Sequence, residues 1–154
     1  MKILLIHADY INYKVKEKAK FAEEISRESK ARSMRDPLIA FISVEKSDEK
    51  SDEKCGELVE NAVAEIHDVA SKVKTQNITL FPFAHLSDDL AAPQKAIEIL
   101  TCIECKLKDR DYRVMRVPFG WYKAFEFKSK GHPLAVLSRS VPRAAKTNPA
   151  ALPN

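Results

Sequence analysis

Apolar positions in this chain come in two kinds of run, and together they lay out its elements. "KILLIHA" (2–8) is an almost unbroken apolar run and predicts a central strand. After it, Ile11, Tyr13 and Val15 alternate with Asn12, Lys14 and Lys16, the period-two pattern of a half-buried strand. Residues 17–36 are rich in charge and poor in large apolar groups, which predicts a surface excursion, partly helical. "PLIAFISVE" (37–45) predicts a further strong strand. Val59, Val63, Ile66, Ala70 and Val73 step by four and three, so one face of a helix is expected over 56–74. "NITLFPFAHL" (77–86) reads as a strand broken at Pro82, which has no N–H to donate to a ladder. Ser87 is a candidate cap for a second helix over 92–109, lined by Ala96, Ile99, Leu100, Ile103 and Leu107. Three more strands are expected at 112–119, 121–129 and 134–140, the first ended by Pro118 and Gly120. The order predicts an α/β protein whose mixed sheet carries two main helices, without regular strand–helix alternation.

Two stretches fall outside this pattern. "KSDEKSDEK" (46–54) repeats Ser-Asp-Glu-Lys and reads as a solvated loop. No glycine turn organises its acids as a calcium loop requires. "VPRAAKTNPAALPN" (141–154) has three prolines and no apolar periodicity, so a linker or flexible C-terminal tail is expected after a domain spanning 1–140.

Composition narrows the class. The chain has 154 residues, 45% hydrophobic and 31% charged, enough for one globular core. No apolar run approaches the ~20 residues that span a bilayer. "MKILLIHADY" turns polar at Asp9 without a small-residue cleavage pattern, so it is read as a buried strand and a cytoplasmic location is expected. A net charge of +4 permits contact with nucleic acid without demanding it. Only three glycines are present, so neither a dinucleotide fingerprint nor a P-loop can be assembled. The three cysteines are an odd number, against a disulfide framework. Cys102 and Cys105 form a C-x-x-C, but in mid-helix rather than at the helix N-terminus that would stabilise a thiolate. Core packing is the first reading of that pair, and Cys55 beside the charged loop reads as incidental.

Candidate chemistry gathers at strand ends and turns. His7, His85 and His132 stand at such places and would form a site if they converged, while His67 reads as a surface or boundary residue of the first helix. No G-x-S-x-G elbow surrounds Ser43 or Ser138. Lys123 lies between Tyr122 and Phe125, after a Pro-Phe-Gly turn and shortly before a Gly-His-Pro turn. With His85, Tyr122 and His132 it suggests a pocket, in which flanking aromatics would hold the lysine stem and exclude water.

"LLIHADY", "AFISVEK", "PFAHLS", "APQKAIEIL", "VPFGWYKAF" and "KGHPLAVLSR" together resemble, in order from residue 1 to about 140, the N-terminal editing domain of archaeal-type threonyl-tRNA synthetases. The most specific pieces are "PFAHLS" and "PFGWYKAF…KGHPLA". The resemblance implies a fold like that of D-aminoacyl-tRNA deacylases, usually a homodimer, that hydrolyses L-serine wrongly attached to threonine tRNA. It implies His85, Tyr122 and Lys123 as active-site side chains. Backbone near Val44, Pro82 and Ala84 would hold the seryl group and terminal adenosine, with Ser43, Phe83, Phe119 and Gly120 among the substrate-binding positions. It implies reliance on the tRNA's own 2′-hydroxyl, no metal or organic cofactor, and the rest of a synthetase as a further partner. Family members usually read "KGHPLAEL" or "KGHPLSEL", with a glutamate that lines the site, and here its place is taken by Val136. Two other readings stand beside this one. A D-aminoacyl-tRNA deacylase would share the fold, and a non-catalytic RNA-binding module would use the mild basicity and the stacking surfaces of Phe119, Trp121 and Tyr122.

Overall fold

A computed structural model describes residues 1–50 and 56–142. Strand β1 (Lys2–Lys18) is 17 residues long and joins the two apolar stretches that the sequence presents separately. The parity of its inward positions explains the join. Leu4, Ile6 and Ala8 share one side of the strand, yet Ile11, Tyr13 and Val15 continue the same cluster on odd numbers. A register shift between Ala8 and Ile11, opposite strand β6 (Trp121–Ser129), absorbs the change of phase. The bulge lets one strand serve two sheet regions.

On one flank β1 pairs antiparallel with β2 (Ala31–Arg35) and then β3 (Pro37–Ser43). On the other it pairs with β6 and β7 (Val136–Ser140). β2 lies in the segment expected to be a partly helical excursion, where only Arg27–Lys30 forms a short 3₁₀ turn. Its sequence, ARSMR, has one half-buried side chain, so it carries no apolar alternation to read. Pairing with β1, not propensity, makes it a strand.

The middle of the chain is more regular than its sequence suggests. β3, α1 (Glu57–Val73), β4 (Asn77–Pro82), α2 (Pro93–Asp109) and β5 (Arg113–Arg116) alternate, and β3, β4 and β5 run parallel. All seven residues of β3 are buried because both sheet faces are covered. Leu38, Ala40 and Ile42 meet α1 and α2 in one core, together with Ile66, Val69, Leu100 and Ile103. Ile39 and Phe41 meet Ile11, Tyr13, Phe81 and Val117 in a second core, beneath the part of the sheet that curls over. Phe81 and Phe125 close that core with rings 4.8 Å apart.

The caps differ from expectation. α2 begins after Ala92 with Pro93 in its first turn, and Ser87 instead donates a hydrogen bond to Glu45 Oε2 at 2.7 Å. Proline at this place forfeits only an N–H that no helix-start residue can pair within the helix. Lys46–Lys50 forms a 3₁₀ turn rather than a solvated loop. Asp48 in it is buried and faces the Met1 ammonium at 3.0 Å, which Glu45 also approaches at 3.0 Å. Val141, assigned by sequence to the tail, is buried in the helix-side core, and its carbonyl accepts from the Met1 ammonium at 2.8 Å. Residues 143–154 of the expected tail, the second Ser-Asp-Glu-Lys copy and Cys55 lie outside the described residues. Cys102 packs half-buried against the helix-side core and is disulfide-bonded, against the expectation drawn from the odd cysteine count, whereas Cys105 is free and exposed, which corrects the reading of both as core residues. No helix among the described residues is long and apolar enough to cross a membrane.

Candidate functional site

The parallel strands β3 and β4 end side by side, and beyond their C-terminal ends lies a cavity of about 350 Å³. One wall is formed at the ends of these strands, by Ser43–Val44 at the end of β3 and Pro82 to His85 at the end of β4. The loop into α2 and its first turn supply a second wall with Leu90, Ala91, Pro93 and Ala96. The turn into β6 supplies the third, Phe119 to Lys123. All ten residues named as catalytic or substrate-binding from the sequence line this one cavity: Ser43, Val44, Pro82, Phe83, Ala84, His85, Phe119, Gly120, Tyr122 and Lys123.

Hydrogen bonds hold the wall in place. Phe83 N–H donates to Ile42 O at 2.9 Å, continuing the ladder just past Pro82. The buried Ser43 hydroxyl donates to Phe83 O and accepts from Leu86 N–H at 3.3 Å. Its oxygen therefore fastens the 83–86 turn, which accounts for a serine here without a nucleophile's surroundings. Val44 O accepts from Ala91 N–H at 3.0 Å and Asp89 O from Lys46 N–H at 2.9 Å, clamping the loop before α2 onto the end of β3. Beside this clamp, burial works to raise the pKa of the Glu45 carboxyl. The Ser87 hydroxyl and Met1 ammonium outweigh it and hold the pKa below its ordinary value.

Lys123 is the one cation whose stem enters from β6. Inward positions on β6 are odd, and Lys123, Phe125 and Phe127 share them, with Lys123 opposite Val15. Its ammonium donates to Pro118 O at 2.9 Å and stands 5.2 Å from the centre of the Phe81 ring. Burial lowers its pKa to about 8, against a smaller opposing pull from Glu23. The ring over the ammonium is thus that of Phe81, not of Tyr122 or Phe125. Tyr122 is 64% exposed at the rim, and Phe125 packs on Phe81 rather than on the lysine stem. His85 is exposed at the rim, its ring 5.2 Å from that of Phe83.

The turn before β6 depends on glycine. Gly120 has φ +78°, and a Cβ there would stand 1.7 Å from Phe21 O. That close approach belongs to a strap, residues 19–24, laid across the turn. Ala19 N–H donates to Gly120 O at 2.8 Å, and Trp121 Nε1 donates to Glu23 O at 2.9 Å. The sequence reading missed both Glu23 and Phe81. Glu23 sits in a run of charges with no local signal, and Phe81 reads only as one more apolar residue of a strand.

The histidines do not converge as a trio. His7 and His132 meet, Nδ1 to Nε2, at 2.8 Å, and His7 Nε2 lies 2.8 Å from Asp36 Oδ1. Leu134 N–H can only donate, and it points to His132 Nδ1 at 3.2 Å. In the neutral network His132 Nε2 therefore donates to His7 Nδ1, and His7 Nε2 to Asp36. This chain ties β1 to the Gly-His-Pro turn, and none of its members lines the cavity. His67 bonds Tyr112 at 2.6 Å. Among the described residues no group of three ligating side chains is placed to hold a metal. Val136 is exposed on β7 opposite Ile6 and is not among the residues lining the cavity.

Comparison with known proteins agrees with this picture. Residues 1–141 match a family described as the archaea-specific editing domain of threonyl-tRNA synthetase. The chain is 53% identical over 142 residues to the threonine–tRNA ligase of Thermococcus kodakarensis, covering 92% of this chain and 22% of that protein. It is 54% identical over 148 residues to the threonine–tRNA ligase of Pyrococcus horikoshii, covering 95% and 23%. The chain thus spans less than a quarter of the length of these relatives. Among solved structures, the c-Myc DNA unwinding element binding protein superposes with a TM-score of 0.65 at 12% identity, over 91% of this chain and 98% of that one. That likeness bears on the fold alone, a mixed sheet with two helices.

Proposed function

From the premise that the chain belongs to the archaea-specific editing-domain family of threonyl-tRNA synthetase, we propose that it removes L-serine from threonine tRNA by ester hydrolysis. The observation that carries this reading is the cavity itself: amino-acid-sized, at the C-terminal ends of β3 and β4, and containing a half-buried ammonium. Serine and threonine differ by one methyl, which a pocket converts into roughly 1–3 kcal/mol of discrimination. A synthetic site sized for threonine cannot exclude the smaller serine. A second site that admits serine and clashes with threonine completes the sorting. Backbone at Ser43–Val44 and Pro82–Ala84 suits this task, because peptide units cannot rotate away as side chains can.

Attack of water on the ester builds negative charge on the carbonyl oxygen. The Lys123 ammonium, over an aromatic face and with little water around it, stabilises such charge or orients the terminal ribose. His85 and Tyr122, which line the cavity at its rim, meet the adenosine and the incoming water in this reading. Ser43 is committed to backbone bonds, and in this reading the tRNA's 2′-hydroxyl, next to the ester, supplies proton transfer. The domain acts in the cytoplasm as a homodimer, within or beside a threonyl-tRNA synthetase. Residues beyond about 140 serve as a linker or tail, and no metal or organic cofactor takes part.

Incubation with L-seryl-, L-threonyl- and D-aminoacyl-tRNA tests the assignment. Seryl-tRNA should be hydrolysed and threonyl-tRNA spared. Preference for D-aminoacyl-tRNA, or binding without hydrolysis of any of the three, would overturn it. Seryl-tRNA ending in 2′-deoxyadenosine should still bind. Its single-turnover rate at saturating protein should fall on the order of 10²-fold or more. Equal rates for the ribo and deoxy substrates would return the chemistry to the protein's own groups.

A further inference from the structure

Glu23 makes four bonds to residues 116–121, all from one position in the strap. Its Oε1 accepts from Phe119 N–H at 2.7 Å and from the Arg116 guanidinium at 2.7 Å. Its own N–H donates to Phe119 O at 3.1 Å, and its carbonyl accepts from Trp121 Nε1 at 2.9 Å. The carboxylate is 13% exposed, so these contacts are little screened by water. Arg116 in turn donates through Nε to Glu104 of α2 at 3.0 Å, which anchors the carboxylate to the helix layer.

The Phe119 N–H belongs to the Pro118–Phe119 peptide. The carbonyl of that same peptide accepts from the Lys123 ammonium at 2.9 Å. One planar unit therefore separates the two charges, with Glu23 on its N–H edge and Lys123 on its C=O edge. A carboxylate on the N–H side draws that dipole into line and strengthens the carbonyl as an acceptor. The planar peptide transmits position as well: where Glu23 holds the N–H, the carbonyl's direction is fixed, and with it the place of the ammonium.

We propose that Glu23 is a positioning residue for the cavity's lysine, fixing the Lys123 ammonium through the Pro118–Phe119 peptide. As far as catalysis is concerned, this rests on the deacylase reading above. The other titratable or charged groups around the lysine are Arg116, which shares Oε1, Glu104 behind it, and His85 and Tyr122 at the cavity rim. Among these, burial and Glu23 are what act on the Lys123 titration, burial lowering it and Glu23 raising it.

The test is the sign of a shift. Glu23→Gln keeps an acceptor for Phe119 N–H and removes the charge. Lys123 is followed by NMR of its side-chain carbon, assigned by its loss in Lys123→Arg. If Glu23 favours the ammonium, the titration midpoint in Glu23→Gln moves down by about half a unit or more. If Glu23 only braces the fold, its loss loosens the turn and admits water, and the midpoint rises toward the ordinary 10.5. A rise or no change overturns the proposal. In single-turnover hydrolysis of seryl-tRNA, Glu23→Gln should shift the alkaline limb of the pH profile to lower pH and leave tRNA affinity unchanged. If the parent chain hydrolyses no seryl-tRNA yet the NMR shift is found, the deacylase reading fails and the positioning role stands.

Discussion

Lys123 holds its charge in a place that resists it, and two expectations follow. In hydrolysis of seryl-tRNA, Lys123→Met keeps the stem and removes the cation. Its single-turnover rate should fall on the order of 10²-fold or more, the scale of losing one electrostatic stabiliser. A rate within about threefold of the parent, with folding intact, would remove Lys123 from the mechanism. The second expectation concerns stability. Burial brings the folded-state pKa to about 8 against an ordinary 10.5. Between those values the unfolded chain holds a proton that the folded chain has released, so stability should rise with pH across the window. Urea midpoints at pH 8 and pH 10 measure it, and Lys123→Met should flatten the rise. Val136 belongs to this scale too. It is exposed on β7 and absent from the cavity lining, so Val136→Glu should change the rate only modestly. An inactive parent rescued by that substitution would reverse this view of the position.

Elements in this chain were legible wherever a face stayed buried along its length. α1 and α2 lie within a residue of the bounds that their three-and-four spacing predicts, because a single layer, the sheet, reads one side of each helix. β2 left no trace, since a strand recruited by its neighbour's unpaired edge needs no apolar pattern of its own. β1 was readable as two pieces but not as one, because its bulge exchanges inward parity in mid-strand. The turn into β6 is the element-scale prediction. Gly120→Ala places a methyl against Phe21 O at positive φ, so strap and turn cannot keep their present contact. Stability should fall by about 2 kcal/mol or more, seen as a lowered melting temperature. A variant that melts with the parent would mean that the strap is not held as described.

At the scale of the molecule, the two ends of the described chain meet. Met1 is bound through its ammonium to Val141 O, and Val141 N–H donates to Met1 O at 2.9 Å. Truncation after Pro142 should therefore leave the melting temperature nearly unchanged, whereas truncation after Ser140 removes a core valine and should cost about 1–3 kcal/mol. Equal melting temperatures for the two would mean that Val141 contributes nothing to the core. By itself the sequence determined the α/β class, both helices and the central strands, since burial on a fixed face leaves a period that survives without neighbours. Through quoted motifs it also pointed to ten of the residues that line the cavity. Which groups act on Lys123 was decided only by the tertiary structure. Phe81 lies 42 residues before Lys123 and Glu23 lies 100 before it, and each reaches the ammonium through a sheet that curls and a strap that crosses a turn. Short-range patterns record which face an element buries. They carry no record of what distant segment comes to lie against that face, because that contact exists only once the layers have packed.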